Sequence, residues 1–134
     1  MSKLTKAACI LLAIISAYAI FVHWQNGIVI PFDKAEWQRD REALKTVSSF
    51  DESSLQGMAR DLVATRMLVG QSRSDVIALL GEAENYGPPQ SEKLYYLLRI
   101  TYHGIDPDMT EHLVLNFDQS NTVVSTEIEV WNKR

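Results

Sequence analysis

The sequence predicts an α+β fold: a two-layer sandwich of N-terminal helices packed on a three-stranded antiparallel sheet, preceded by an N-terminal hydrophobic helix. Three observations lead to this prediction. A charge-free apolar run covers residues 7–22, apolar residues recur at three- and four-residue spacing within 35–81, and they alternate along the chain from residue 94 onward. A sheet with one apolar face needs a helical layer to cover it, so helices followed by antiparallel strands are typical of this fold class.

Composition and charge are those of one globular domain with an appendage. The chain has 134 residues, of which 46% are hydrophobic and 22% charged, which excludes general disorder. Lys3 and Lys6 precede the apolar run, so residues 24–134 carry the other 11 of the 13 basic residues and all 17 acidic ones, a formal net charge of −6. This acidic body argues against nucleic-acid binding. The single cysteine, Cys9, excludes an internal disulfide.

The N-terminal segment, residues 1–24, is interpreted as a signal anchor or transmembrane segment. The run AACILLAIISAYAIFV contains no charged residue, and with the next two residues it reaches the lower limit for crossing a bilayer core of about 30 Å. Trp24 would then lie near the membrane interface. Ala17-Tyr18-Ala19 also resembles the cleavage site of a signal peptide, so a cleaved signal is the alternative.

The basic residues predict the orientation of this segment. Lys3 and Lys6 flank its N-terminal end, whereas the other flank has no basic residue before Lys34. The positive-inside rule then places the N-terminus in the cytoplasm and the domain across the membrane. For a bacterial protein this predicts a single-pass inner-membrane protein with a periplasmic domain, or a secreted periplasmic protein if the signal is cleaved.

Residues 25–34 (QNGIVIPFDK) are expected to form an extended tether, because Gly27 and Pro31 oppose helix formation. The globular domain is then residues 35–134, and it begins with a short helix predicted over residues 35–47.

The next predicted helix begins after Ser53 or Ser54 as the cap and runs to Gly70, where glycine allows the helix to end. Its apolar face is formed by Leu55, Met58, Leu62 and Met67.

A short helix is predicted between Gly70 and Gly81. Ser72 is expected to cap it, with Asp75 three residues later in the position of a capping-box acid. Arg73 is expected on the exposed side, where replacement by alanine would be tolerated. Gly81 is the C-terminal stop. The apolar stripe is formed by Val76, Leu79 and Leu80.

Three strands are predicted after the helices, because the period of the apolar residues changes to two. The first covers residues 94–102, with Tyr96 and Leu98 on one face and Tyr95 and Leu97 on the other. The second covers residues 113–117 and the third 124–130. A tight turn at residues 118–121 joins them, and we expect Asn121 to adopt a positive φ there.

The segment Gly70–Gly81 (GQSRSDVIALLG) resembles the G-M-(S/T)-x-x-(E/D)-V-x-x-L-L-G-x-P element of SmpA/OmlA (BamE-like) domains. These are α-α-β-β-β modules related to the repeats of beta-lactamase-inhibitor-type proteins. Residues 113–124 are similar to the family's L-x-(I/L)-x-F-D-x-x-G-x-V hairpin, and the resemblance covers residues 54–130. It implies a domain that works through protein contacts, with no catalytic residues to transfer to this chain.

Residues 103–112 (HGIDPDMTEH) bring two imidazoles and three carboxylates together in ten residues. Such side chains bind divalent ions, so they are candidate metal ligands. The favoured interpretation is a solvated hairpin loop with its turn at Asp106-Pro107-Asp108, across which the two histidines could face each other, and the metal site is the alternative. The candidate ligands are His103, Asp106, Asp108, Glu111 and His112.

Two functions remain open at this point. The sequence contains no nucleophile elbow, phosphate loop or dinucleotide fingerprint, so it predicts neither an enzyme nor a cofactor. The leading hypothesis is a membrane-tethered, extracytoplasmic protein-interaction module with an envelope or membrane protein as partner, acting in envelope assembly or maintenance. Tyr95 and Leu97 are its candidate partner surface. The alternative is a small metal- or ligand-binding envelope protein that uses the 103–112 loop.

Overall fold

The chain forms helices and then strands, in the order that the sequence predicts. The computed structural model describes residues 2–46, 54–84, 86–87 and 91–133, without the side chains of residues 19–26 and 46. The helices are α1 (Lys3–Asn26), α2 (Lys34–Thr46), α3 (Leu55–Thr65) and α4 (Arg73–Leu80). The strands are β1 (Lys93–His103), β2 (Asp106–Phe117) and β3 (Val123–Asn132). They form an antiparallel sheet in the order β1-β2-β3, which confirms the α+β class.

One face of the sheet packs against α2, α3 and α4, and the core lies between these two layers. Alternate residues of the strands enter it, because side chains two apart on a strand share a face. We call this the helix side of the sheet and the opposite side the outer face. The largest buried side chains of the core are Trp37, Leu55, Met58, Leu62, Leu68, Val76, Leu80, Tyr96, Leu98, Leu113 and Leu115.

Two core aromatic residues hold the C-terminal end of α4, where helix carbonyls lack partners within the helix. The indole nitrogen of Trp37 donates to the Leu80 carbonyl at 3.0 Å, and the Tyr96 hydroxyl donates to the Gly81 carbonyl at 2.8 Å. Burial raises the pKa of Tyr96, so its hydroxyl stays a donor. The short helix α4 is thereby fixed to both α2 and β1.

The 70–81 motif has the predicted geometry. The Ser72 hydroxyl accepts from the Asp75 N–H at 3.2 Å, which confirms the cap. Gly70 and Gly81 have φ values of +89° and +85°, in the region that favours glycine. In the predicted apolar stripe, Val76 and Leu80 are buried, and Leu79 packs at the edge of the core.

The prediction that Arg73 lies on the exposed side is wrong, because its side chain is half-buried. Its Nε donates to the Asn121 side chain at 2.8 Å, and its guanidinium lies 4.3 Å from the centre of the Phe117 ring. Asn121 has a φ of +63°, as expected, and its carbonyl accepts from the Arg73 N–H at 3.1 Å. The side chain therefore ties the start of α4 to the β2–β3 turn.

Helix α3 ends earlier than the sequence predicts. It stops at Thr65, and Arg66 takes a left-handed conformation with φ of +55°. The turn that follows buries Leu68 completely and leaves Met67 40% exposed, so packing of Leu68 overrides the helical spacing. At the other end of α3, Ser54 occupies the cap position without a capping hydrogen bond, because its hydroxyl bonds to Glu36 and Asp40. Val47 and Ser53 lie outside the described residues.

Residues 28–33 are extended, as expected for the tether, but they lie along α3. The Ile30 N–H donates to the Gly57 carbonyl at 3.1 Å, and the Phe32 N–H donates to the Asp61 carboxylate at 2.9 Å. Arg60 donates to the Ile28 carbonyl at 3.0 Å. These bonds attach the segment to the domain surface.

At the predicted N-terminal position the structure has helix α1, whose described apolar side chains are largely exposed. The prediction that it crosses a membrane is not supported: among the helices as far as they are described, none is both long and apolar enough to span a bilayer. The Trp24 side chain lies outside the described residues. Side chains more than half exposed on this helix are Leu4, Ile10, Leu11, Leu12, Ile14, Ile15 and Tyr18.

Gly57 permits the close approach of Ile30 to α3. A Cβ atom at residue 57 would lie 2.6 Å from Ile30 Cγ1, so we expect Gly57→Ala to lower the free energy of unfolding by about 1–3 kcal/mol. Ile30→Ala removes the two closest atoms, Cγ1 and Cδ1, so the double variant should lose less than the sum of the two single losses. Urea unfolding of the four proteins measures this coupling, and strict additivity would mean that the 28–33 segment does not pack on α3.

Candidate functional site: the outer face of the sheet

Strand register defines which residues share the outer face. Tyr95 pairs with Val114, and Leu97 pairs with His112. Trp131 on β3 pairs with Thr110. Tyr96 and Leu113, which are adjacent to these residues in the strands, are buried on the helix side. The side chains of Tyr95, Leu97, His112 and Val114 therefore point away from the helices.

A β-bulge between Leu97 and Arg99 changes the alternation that the sequence predicts for β1. Arg99 pairs with Glu111, and the Glu111 carboxylate accepts a hydrogen bond from Gln56 of α3. Both residues therefore lie on the helix side. A bulge adds one residue to one strand, so a period of two cannot continue through it.

Four rings on the outer face form an aromatic cluster, consisting of Tyr86, Tyr95, His112 and Trp131. The centres of the His112 and Trp131 rings are 4.1 Å apart, and Tyr86 lies 5.3 Å from His112 and 5.7 Å from Tyr95. His112 is only 1% exposed, whereas Trp131 is 40% and Tyr86 49% exposed. The cluster is thus a buried imidazole under two half-exposed aromatic side chains.

The buried imidazole of His112 makes few hydrogen bonds to replace those that it would make with water. Its Nε2 lies 3.2 Å from the Tyr86 hydroxyl, while its buried Nδ1 has no hydrogen-bond partner among the described residues. Burial lowers the pKa of His112, and Glu84 and Glu129 oppose this with a smaller effect. Burial also raises the pKa of Tyr86, with a further contribution from Glu84. The neutral forms of both rings are therefore favoured.

An ion pair lies at the edge of β1, two residues before Tyr86 in the chain. The buried Arg41 of α2 donates to the Glu84 carboxylate at 2.8 Å, and to the carbonyls of Leu97 and Glu82 at 3.2 Å each. Glu84 accepts from the Leu97 N–H at 2.8 Å, and its own N–H donates to the Tyr95 carbonyl at 2.9 Å. We call this arrangement the Arg41–Glu84 clamp. It fixes the chain two residues before Tyr86.

The predicted partner residues lie on the outer face, but they are not its most accessible part. Tyr95 is half-buried between Tyr86 and Trp131, and Leu97 is half-buried with its backbone held by the Arg41–Glu84 clamp. The accessible rings belong to Tyr86 and Trp131, which sequence reasoning missed. Trp131 could have been found by extending the predicted third strand past residue 130, because Trp131 follows Glu129 on the same face. Tyr86 lies in a loop with no periodic signal.

The prediction that residues 103–112 form a loop is wrong. The turn consists of Gly104 and Ile105 alone, and β2 begins at Asp106. His103 pairs with Asp106 at the end of the hairpin, while His112 pairs with Leu97 in the middle of the sheet, so the two histidines do not face each other.

The five candidate metal ligands are separated by this strand geometry. Glu111 points to the helix side and His112 to the outer face, because they are adjacent on one strand. The Asp106 carboxylate lies 3.4 Å from the Lys133 ammonium, and Asp108 sits in the same exposed end of β2. Among the described residues, no three His, Cys, Asp or Glu side chains are placed to hold a metal ion.

The fold and this site define an α+β domain with a half-exposed aromatic cluster on the outer face of its sheet. Half-exposed Tyr and Trp rings can pack against apolar groups or cations, and they bury a large area at small cost in side-chain entropy. The chain matches no protein-family model, no curated protein and no solved structure. The resemblance to SmpA/OmlA domains remains a prediction from the sequence motifs.

The buried His112 predicts a pH dependence of stability. Its pKa is lowered in the folded protein, so the unfolded chain binds the proton more readily. Stability is therefore unaffected well above the ordinary histidine pKa of about 6.5, and it falls as the pH drops below that value. Urea unfolding at about pH 7.5 and about pH 5.5 should show a smaller loss for His112→Gln than for the parent.

Ser125→Ala is the matched control on the outer face, because Ser125 is exposed and does not titrate. It should keep the pH dependence of the parent. An equal loss of stability in His112→Gln and the parent would show that His112 is not protonated on unfolding.

Proposed function

We propose that this chain is a membrane-tethered, extracytoplasmic interaction module that binds an envelope or membrane protein through the outer face of its sheet. The observation that carries this proposal is the aromatic cluster, in which Tyr86 and Trp131 are half-exposed on an otherwise ordered sheet surface. Aromatic side chains are enriched at protein interfaces and depleted from ordinary surfaces.

The cluster is also prepared for binding, because its rings are already in contact. Tyr86 and Trp131 lie 5.5 Å apart between ring centres, and each contacts His112. A side chain that is fixed before binding loses less conformational entropy when a partner covers it. The Arg41–Glu84 clamp supports this arrangement by holding the backbone near Tyr86.

The membrane part of the proposal rests on the sequence of the N-terminal segment. Residues 7–22 carry no charge and follow Lys3 and Lys6, which favours an inner-membrane location with the N-terminus in the cytoplasm. The exposed apolar side chains of α1 need a cover other than water, and lipid would supply it. A cleaved signal, giving a periplasmic protein, is the alternative.

A metal-binding function is not proposed further, because His103 lies at the end of β1 and the other candidate ligands are distributed over both faces of β2. The interaction function agrees with the resemblance to SmpA/OmlA domains, which implies a role in envelope assembly or maintenance through protein contacts.

Site-directed photocrosslinking in cells of the source organism tests the proposal. A photoreactive phenylalanine analogue at Tyr86 or Trp131 should yield a discrete protein adduct in the membrane fraction. The same analogue at Arg39, whose side chain is 73% exposed on α2, should not. The adducts should differ because Tyr86 and Trp131 lie on the proposed interface and Arg39 does not.

Two results would contradict the proposal. Adducts of equal yield at Arg39 and Tyr86 would show that the outer face has no special role in binding. Recovery of the full-length chain in the soluble fraction after lysis would contradict the membrane tether.

A further inference from the structure

The two edges of the sheet differ in how their backbone groups are used. At the β1 edge, the Arg41–Glu84 clamp occupies the carbonyls of Tyr95 and Leu97 and the N–H of Leu97. At the β3 edge, residues 70 and 71 bond to Val123, and beyond it no strand in the described part of the chain pairs with the free side of β3. An open edge strand is a template for pairing with another extended chain.

The side chains of β3 indicate which chain would fit. On the outer face, Glu127 and Glu129 follow each other two residues apart, and no ion pair to either is present among the described residues. On the helix side, Ile128 is half-buried and Val130 is 49% exposed at the rim of the core. In a strand added beside β3, every second residue would therefore lie next to a carboxylate on the outer face. The residues between them would lie next to apolar side chains on the helix side.

A second copy of the chain is a poor occupant of this edge. Antiparallel pairing of two β3 strands about Ile128 would put Glu127 of one copy opposite Glu129 of the other. Pairing about either glutamate would put that residue opposite itself. Like charges directly opposite each other destabilise a strand pair, so these two residues act against self-association.

We propose that the open edge of β3 binds an extended segment of a partner protein by strand addition, and that this segment alternates basic and apolar residues. Its lysine or arginine side chains lie beside Glu127 and Glu129 on the outer face, and its apolar side chains extend the core past Val130. This inference rests on the proposed interaction function and specifies the chemistry of the partner. Main-chain hydrogen bonds supply binding, and the alternating side chains supply selectivity.

Synthetic peptides added to the full-length chain in detergent micelles test this inference. The probe is a capped seven-residue peptide of alternating lysine and valine, and its matched control alternates glutamate and valine. We expect the lysine peptide to bind at least about tenfold more tightly, because two attractive pairs replace two repulsive ones. Amide chemical shifts should change along β3 and not along β1. N-methylation of alternate peptide amides should abolish binding, since it removes the donors that face β3.

Charge variants of the protein provide the control for specificity. Glu127→Lys should weaken binding of the lysine peptide about threefold or more, whereas Glu42→Lys on α2 changes the net charge equally and should leave binding unchanged.

Equal effects of the two variants, binding of the N-methylated peptide, or shifts confined to other elements would overturn the inference. Concentration-dependent dimers that pair through β3 would also overturn it, because the occupant would then be a second copy. If the peptide fails but Tyr86 still crosslinks to a partner, only this inference fails. If crosslinking fails, the proposed function fails.

Discussion

The buried guanidinium of Arg41 contacts strand β1 and the loop after α4, and much of the outer face depends on it. It reaches from α2 around the edge of β1, lies 5.0 Å from the centre of the Tyr96 ring, and bonds to Glu84, Glu82 and Leu97. Glu84 completes the arrangement through the backbone of β1. A buried charge without its partner is strongly destabilising, so each member of the pair requires the other. The clamp therefore holds Glu84, two residues before Tyr86, against β1.

The asymmetry of the sheet follows from this constraint. One edge is closed by a side chain from the helical layer and by the loop after α4, while the opposite edge remains open over most of β3. The aromatic cluster bridges the two, since Tyr86 arrives from the closed side and Trp131 belongs to β3. The exposed rings and the open edge thus form one continuous region, which is separate from the helical layer.

The sequence was informative wherever a local rule determined the structure. The Ser72 cap and the positive φ values of Gly70, Gly81 and Asn121 could be predicted, because each depends on neighbours in the chain. Long-range contacts set the rest. Burial of Leu68 ended α3 early, a bulge after Leu97 moved Arg99 to the helix side, and pairing with β1 extended β2 back to Asp106. Arg73 was expected to be exposed, since the sequence does not show that the Asn121 side chain and the Phe117 ring surround it.

A double-mutant cycle at Arg41 and Glu84 tests most directly whether the clamp organises this domain. The free energy of unfolding is measured in urea for the parent, Arg41→Met, Glu84→Met and the double variant. Glu84→Met should cost about 3–5 kcal/mol, because it leaves the Arg41 charge buried without its partner. Arg41→Met should cost less, because the Glu84 side chain is 24% exposed. The double variant should then lose less than the sum by at least about 1 kcal/mol. Additive losses would contradict the account, because they would mean that Arg41 and Glu84 contribute independently.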